Sequence, residues 1–288
     1  VSRVMNMNPA VADVRASKQE IMNLMKRRWL RHIPLVNDKR EVVRIEWMDD
    51  LFRGTLPDET TTVILSGGMG TRLYPLTKTK PKALLSVGEH PILESIIQDL
   101  ATHGLKKIVL AVHYKARSIQ RYFQDGKKWG VSIDYIQEEK RLGTAGSLRL
   151  LTHPENTPLL VMNGDLLTNI NYRLLLHFHQ KEEFELTVGI KSSDFRLPYG
   201  VVRLHGKEIL GIEEKPIQRF FVNAGIYVLN PEMITLIPKD KYFDMTELIQ
   251  KAIEHNAKVG GFPLHEDWLD IGTKEEYEKA LEANKVFT

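Results

Sequence analysis

Cysteine is absent from all 288 residues. Disulfides and thiolate metal sites are thereby excluded, and a reducing, cytoplasmic setting is the default expectation. No apolar run approaches the ~18 residues that a membrane span needs, and there is no h-region of a secretory leader, so no membrane partner is expected. Charge of one sign is scarce too. Forty Lys and Arg against 37 Asp and Glu leave a net +3, too little for a nucleic-acid binder, whose cations would dominate one face. The ten histidines include no i, i+4 pair. The nearest two, His177 and His179, would point to different sides of a helix and read as surface or packing residues. No internal repeat or low-complexity tract is visible. What remains, 42% hydrophobic and 27% charged, has the balance of an ordinary soluble globular protein and the length for one large domain plus a small one.

Against that background, one stretch stands out: TTVILSGGMGTRLYPLTKTKPKALL, Thr61 to Leu85. It opens as a β-branched strand, Thr61 to Leu65, and breaks at Ser66-Gly67-Gly68-Met69-Gly70. Glycines there leave a loop without side-chain bulk, whose backbone N–H groups can close on an anion. Four cations follow, Arg72, Lys78, Lys80 and Lys82, on a segment stiffened by Pro75 and Pro81. Two familiar phosphate motifs are excluded. Leu73 stands where the last glycine of a dinucleotide fingerprint belongs, and the chain has no Gly-Lys-Ser/Thr for a Walker A loop. The segment instead resembles the G-G-x-G-T-R-L-x-P-L-T-x-x-x-P-K-x-L-L motif of the sugar-1-phosphate nucleotidyltransferase family.

The chain before this stretch reads as a small unit, residues 1–53. Ser17-Lys18-Gln19-Glu20 is a capping-box pattern, opening a helix with Ile21, Leu24, Met25 and Trp29 at helical spacing. His32–Val36 and Val42–Ile45 are predicted strands around an Asn37-Asp38 turn, and Trp47–Phe52 a short helix. This β-α-β-β-α order, with L-R-H-I-P-L-V followed by V-V-x-I, resembles a CBS motif. Where that family places a glycine, a hydroxyl residue and an aspartate to hold an adenosine nucleotide, this chain has Arg44, Trp47 and Asp50. Such motifs pair in tandem, and a complete pair would take an adenine nucleotide. With one motif present, packing or homo-oligomerisation is the expected role. The chain starts at Val1 in mid-pattern, so upstream residues are expected to be missing. Residues 54–60, polar and broken by Gly54 and Pro57, form the linker.

Residues 61–288 alternate strand and helix. Pro91 to Thr102 is a predicted helix closed by Gly104, and Lys107–Val112 a buried strand. Ser118–Gln124 is helical, Ile133–Gln137 a strand, Thr144–Leu151 helical and Leu159–Met162 a strand. Repeated β-α units point to a Rossmann-like, doubly wound α/β domain with a mixed, mostly parallel sheet. Its ligands should bind outside the carboxyl ends of the strands. Leu186–Lys191, Tyr199–Leu204, Glu208–Glu213 and Val222–Leu229 then follow as strands with little helix between them. Two helices with capping-box starts, at Asp244 and Thr273, finish the chain.

The expected chemistry joins two polyanions. A sugar-1-phosphate oxygen must attack the α-phosphorus of a nucleoside triphosphate in line, expelling pyrophosphate, which requires fixed cations and a divalent metal. Asp165, in Asn163-Gly164-Asp165, follows a strand end, and Asp270 stands in Trp268-Leu269-Asp270-Ile271-Gly272-Thr273. The family resemblance makes these two the Mg²⁺ ligands. It also implies nucleotide contacts from Leu65, Gly67, Gly68, Gly70 and Thr71, with Arg72 bracing the triphosphate and Lys82 neutralising it. Arg72, Lys82 and Asp165 are thus the expected catalytic residues, and Lys78 and Lys80 are expected to be solvated. Leu142-Gly143-Thr144-Ala145-Gly146 resembles the family's nucleotide-edge loop, so Gly143 and Thr144 join the nucleotide site. Gln137 is a candidate base contact and Glu138 a candidate acceptor from guanine. Glu214 and Lys215 of an E-K-P motif, Asn223 of N-A-G and Gly200 of P-Y-G-V-V are the implied sugar-phosphate residues.

The expected reaction makes an NDP-sugar and pyrophosphate. GTP is the preferred nucleotide, and glucosamine 1-phosphate of a nonulosonate (legionaminic-type) pathway the preferred sugar, because the CBS fusion resembles guanylyltransferases of that kind. Mannose- or heptose-1-phosphate guanylyltransferase is the near alternative, and a glucose-1-phosphate thymidylyl- or uridylyltransferase a further one. A catalytically silent nucleotide-sensing regulator is the competitor from another class.

Overall fold

The computed structural model describes residues 9–28, 30, 32–47, 60–152 and 157–283. The chain divides into two compact units, Val1–Thr55 and Leu56–Thr288. Residues 54–59 of the expected linker and Asp50 lie outside the described residues.

In the first unit, β1 (Ala12–Asp13) pairs in parallel with β2 (His32–Val36), which pairs antiparallel with β3 (Val42–Trp47). Helix α1 (Lys18–Arg27) follows the capping box. The Glu20 backbone N–H donates to Ser17 Oγ at 3.3 Å, and the Ser17 N–H donates to Glu20 Oε2 at 2.8 Å. Of the expected helical positions Ile21 and Met25 are buried and Leu24 half-buried, with Met22 buried beside them, and β2 adds Ile33 and Leu35; Trp29 lies outside the described residues. Trp47 differs from expectation. It ends β3 instead of opening a helix, and its ring packs on His32, centroids 5.1 Å apart. Cross-strand pairing with His32 extends the strand two residues beyond the alternating run.

The second unit is built on a seven-stranded sheet. In chain order its elements are β4 (Thr61–Leu65), α2 (Ile92–Thr102), β5 (Lys107–Val112), α3 (Ala116–Phe123), β6 (Ser132–Gln137), the single turn α4 (Gly143–Gly146), β7 (Leu159–Asn163), β8 (Leu166–Thr168), α5 (Tyr172–Lys181), β9 (Leu186–Arg196), β10 (Gly200–His205), β11 (Glu208–Glu214), β12 (Ile217–Leu229), α6 (Met245–Glu254), β13 (Val259–Leu264), β14 (Trp268–Asp270) and α7 (Lys274–Ala283). The sheet order is β13-β9-β12-β7-β4-β5-β6, with β12 running antiparallel to its neighbours.

The central strands are apolar on both sides, as strands covered by helices must be. Val63 and Val161 face a core completed by Leu148, Met245 and Leu248, while Ile64, Leu160 and Met162 are equally buried on the opposite side. From β4 the chain winds outward through β5 and β6, then returns to the other side of β4 as β7. The loops after β4 and β7 therefore diverge at adjacent carboxyl ends, where a doubly wound sheet leaves a crevice. β9 and β12 shift register at Gly189; β9 stays paired with β13 as far as Lys191, and beyond it the two strands leave the sheet as a ribbon, continued by the hairpin β10–β11. Among the described residues, no helix is long and apolar enough to cross a membrane.

Candidate active site

β4 delivers the glycine loop to the crevice. The Ser66 N–H still donates to Ala111 O of β5 at 2.8 Å. After that, the glycines differ, since Gly68 has open space where a Cβ would stand while Gly67 and Gly70 are crowded. A Cβ on Gly67 would lie 3.0 Å from Glu138 Oε1, and Gly70 holds φ +64° with Thr77 and Lys82 against it. Thr77, fully buried, donates its hydroxyl to Gly70 O at 2.7 Å. The threonine of the P-L-T triplet thus pins the loop that the glycines open. Pro81 then caps the turn Lys82–Leu84, and the Lys82 side chain, only 12% exposed, forms an ion pair with Asp165. Lys78 and Lys80 are exposed.

Asp165 and Asp270 come together through an element too short to read in the sequence. β8 and β14 form a two-stranded antiparallel ribbon in which Leu166 faces Asp270, and the Ile271 N–H donates to Asp165 O at 3.0 Å. The Trp268 indole N–H, donating to Ala224 O at 2.8 Å, ties the ribbon to β12. Gly164 has no room for a side chain, since a Cβ would sit 2.2 Å from Ser66 Oγ and 3.0 Å from Leu65 O. Arg72 lies against the same segment, its Nη2 3.3 Å from where a Cβ on Gly272 would stand. Burial, then the neighbouring charge of Asp165, pushes the Asp270 carboxyl up to about 6, with Lys82 opposing.

The residues present fit a hard divalent cation. Asp165 Oδ1 and Asp270 Oδ1 are both buried without a hydrogen-bond partner. The donor set is oxygen only, and no cluster of three or more His, Cys, Asp or Glu occurs among the described residues. Two carboxylates with substrate oxygens completing the shell suit magnesium better than a metal that wants a full protein cage.

Beside this pair lies a cleft of about 190 Å³. Leu65, Gly67, Gly68, Lys82, Gly143, Thr144 and Asp165 line it, as do Glu138, Arg141, Tyr242 and Asp244. Gly70 and Thr71 shape the loop without lining the cleft. Gln137 is a correction. It is exposed outside the cleft, where its Oε1 accepts from Gln120 Nε2 at 3.3 Å. Its neighbour Glu138 faces inward, because successive strand residues point to opposite sides. Glu138 is buried, its Oε2 accepts the Leu142 N–H at 3.0 Å, and burial raises its pKa.

The Gly143 loop also differs from expectation. Its amides serve the protein's own chain: Thr144 N–H and Oγ1–H donate to Asp244 Oδ1 at 2.9 and 3.1 Å, and the Ala145 and Gly146 N–H groups donate to Phe243 O. Gly143, at φ +81°, is needed because a Cβ would strike Phe243 O at 2.6 Å. The loop therefore forms a wall, locked to the capping box of α6, with its helix-end donors already used. The partner segment, Tyr242 to Asp244, lies about a hundred residues away in the chain; Asp244 was legible as a capping-box start, but not that its side chain also holds Thr144.

The expected sugar-phosphate residues sit on the ribbon. Gly200 pairs with Glu214, whose Oε2 would be 2.9 Å from a Cβ on Gly200, and Lys215 turns the chain at φ +49° with its N–H donating to Tyr199 O at 3.3 Å. None of the three lines the cleft. Asn223 is nearer the catalytic strand. Its Oδ1 accepts the Gly225 N–H at 2.9 Å, and Gly225 packs against the Asn163 amide. His179, the buried histidine of α5, bonds Thr187 Oγ1 at 2.9 Å and Asn230 Oδ1 at 3.1 Å. Burial lowers its pKa, so it is a neutral packing residue.

Comparison with known proteins follows this geometry. A family model described as Nucleotidyl transferase matches residues 61–285. Mannose-1-phosphate guanyltransferase of Pichia angusta is 36% identical over 233 residues, covering 75% of this chain and 61% of the relative. The chain thus spans about three fifths of the curated relatives' length. Among solved structures, a putative glucose-1-phosphate thymidylyltransferase from Bacillus anthracis superposes with a TM-score of 0.65 at 24% identity, over 78% of this chain and 94% of that one. HddC from Yersinia pseudotuberculosis, complexed with GMP-PN, does so with a TM-score of 0.62 at 25% identity, over 78% and 100%.

Proposed function

We propose, because this chain belongs to the nucleotidyl transferase family, that it makes an NDP-sugar and pyrophosphate from GTP and a hexose 1-phosphate in the presence of Mg²⁺. The observation that carries this reading is the convergence of Lys82, Asp165 and Asp270 beside the glycine loop, with two buried carboxylate oxygens lacking partners.

In this reading the sugar-phosphate oxygen bonds to the α-phosphorus as the bond from that phosphorus to the bridging oxygen of the leaving pyrophosphate breaks. The open glycine loop lets the triphosphate approach backbone N–H groups, and Arg72 offers a planar fork of donors to its oxygens. Lys82 lies at the carboxylate pair and offsets charge on the nucleotide. Asp165 and Asp270 would hold the cation, which when bound neutralises phosphate charge and polarises the phosphoryl group. Glu138 would accept from guanine N1–H and N2–H at the far wall. A buried acceptor left unpaired by another base discriminates strongly. Glu214 and Lys215 would meet the sugar hydroxyls and phosphate.

Two sugars are favoured by different observations. The names of the curated relatives favour mannose 1-phosphate, and the resemblance of residues 1–53 to a CBS motif favours glucosamine 1-phosphate. That unit, the linker at 54–60 and the transferase domain at 61–288 are our proposed division. A packing or oligomerisation role for the first unit goes with it. Pyrophosphate release, measured for each NTP against mannose, glucosamine, glucose and heptose 1-phosphates, tests the reading. Release with GTP and one hexose 1-phosphate, lost in Asp165→Asn, is expected. Nucleotide binding without release on any sugar phosphate would point to the silent regulator instead.

A further inference from the structure

Buried polar atoms that find no partner are rare in a folded chain, and each one needs an explanation. Of the eight such side-chain atoms among the described residues, three belong to residues that line the cleft: Ser66 Oγ, Ser147 Oγ and Asp165 Oδ1. The carboxylate oxygen is accounted for by the cation. Ser66 has no such account, and its place in the fold is sharply defined.

Ser66 is the first residue of the glycine loop, and the strand before it still controls its direction. Its N–H donates to Ala111 O at 2.8 Å, one rung beyond the last pair of β4 with β5. Alternation then sends its side chain to the side that Ile64 takes, and both meet Gly164. A Cβ on Gly164 would stand 2.2 Å from Ser66 Oγ and 3.3 Å from Ile64 Cγ2. The hydroxyl therefore lies against the backbone that carries Asp165, at a residue with no side chain to intervene. The adjacent carbonyl, Leu65 O, already accepts the Gly164 N–H at 2.9 Å. An alanine would fill the same space without stranding a polar atom. For the folded chain alone this hydroxyl is a cost, and it gains a use when a polar ligand enters the cleft.

We infer that Ser66 is a positioning residue of the cation site, its hydroxyl bonding an oxygen in the shell of the divalent ion that Asp165 and Asp270 hold. The inference rests on the reading of the aspartate pair proposed above. Magnesium takes one or two carboxylates and keeps the rest of its shell for water and phosphate oxygens. Outer partners orient such shells, and removing one typically weakens metal binding by about 10–100-fold. The other polar groups at this end of the cleft have their tasks. Asp165 Oδ1 and Asp270 Oδ1 are the free carboxylate oxygens, and Lys82 pairs with Asp165 Oδ2. A serine hydroxyl suits the remaining task, since it donates to a phosphate oxygen and both donates to and accepts from water.

The probe is Mn²⁺, whose paramagnetic signal is lost on binding, titrated into the full chain alone and with GTP. Ser66→Ala should bind it about 10-fold more weakly than wild type. A loss seen with Mn²⁺ alone makes the shell oxygen a water, and a loss seen only with GTP makes it a phosphate oxygen. Thr62→Val is the control, because Thr62 Oγ1 is also a buried hydroxyl without a partner, four residues earlier in β4 and outside the cleft lining. Its removal should leave Mn²⁺ affinity near that of wild type. In EDTA, Ser66→Ala should melt at or above wild type, since it removes a stranded group and no contact. Unchanged Mn²⁺ affinity of Ser66→Ala under both conditions, an equal loss in Thr62→Val, or a Ser66→Ala protein melting well below wild type in EDTA would each overturn the inference. Asp165→Asn separates it from its premise. Wild-type Mn²⁺ affinity in that variant would remove the cation reading itself, whereas a loss there with none in Ser66→Ala would remove Ser66 alone.

Discussion

Replacing Asp270 with asparagine should make the metal-free protein more stable and the enzyme inactive. The Asp270 carboxyl is raised from 3.8 to about 6 by burial and by the charge of Asp165. A native state that holds this proton up to pH 6, while the unfolded chain loses it near 4, has its full benefit below pH 4. It loses that benefit as pH rises through 6. At pH 8 the folded chain therefore carries the whole cost of an ionised, crowded carboxylate. About two units at 1.4 kcal/mol each give about 3 kcal/mol, and screening by solvent in an open cleft reduces this to about 1–2 kcal/mol.

Asparagine keeps the shape and removes the charge. In EDTA at pH 8, Asp270→Asn should melt about 2–4 °C above wild type, and the gap should narrow as pH falls below 6 and close by about pH 4. Added Mg²⁺ should raise the melting point of wild type and leave the variant unmoved, while pyrophosphate release with any NTP is lost. A variant that melts below wild type at pH 8 in EDTA, or a gap that ignores pH, would refute the electrostatic account of the pair.

Other outcomes follow from neighbouring geometry. Gly164→Ala places a methyl 3.0 Å from the backbone oxygen of Leu65 and should cost about 1–3 kcal/mol in denaturant unfolding. Glu138→Gln should lower the kcat/KM ratio of GTP over other NTPs by about 10–100-fold, with little change in the affinity for sugar phosphate. Lys215→Ala should raise KM for the sugar phosphate by an amount worth about 2–4 kcal/mol, leaving nucleotide binding, read by calorimetry, near wild type.

Local patterns carried the parallel half of the sheet. β4, β5 and β7 are largely continuous apolar runs and the edge strand β6 alternates, and all four lie within a residue or so of where those patterns placed them. Elements fixed by distant partners were hidden. The strand β13 contains Gly260, Gly261 and Pro263, a composition that argues against a strand. It exists because it is an edge strand, and because the Phe184 ring occupies the space that a Cβ on Gly260 would need.

Helix α5 lacks a capping box; Asn171 caps it alone, accepting from the Leu174 N–H. At the site, both aspartates were legible as residues, but the three-residue strands that unite them were not. Glu138 and Gln137 could be told apart only once the strand's facing was known. The hairpin β10–β11 shows the converse, since its strands were placed to within a residue but not that its apolar side would stay open.

The ribbon joining Asp165 to Asp270 also sets an order of events during synthesis. The seven-stranded sheet and the glycine loop precede Trp268 in the chain, so they can be assembled while the proposed cation would have only Asp165 to hold it. On the proposed assignment, metal capture would wait until β14 has been made, and a fragment stopping short of Trp268 should gain nothing from magnesium.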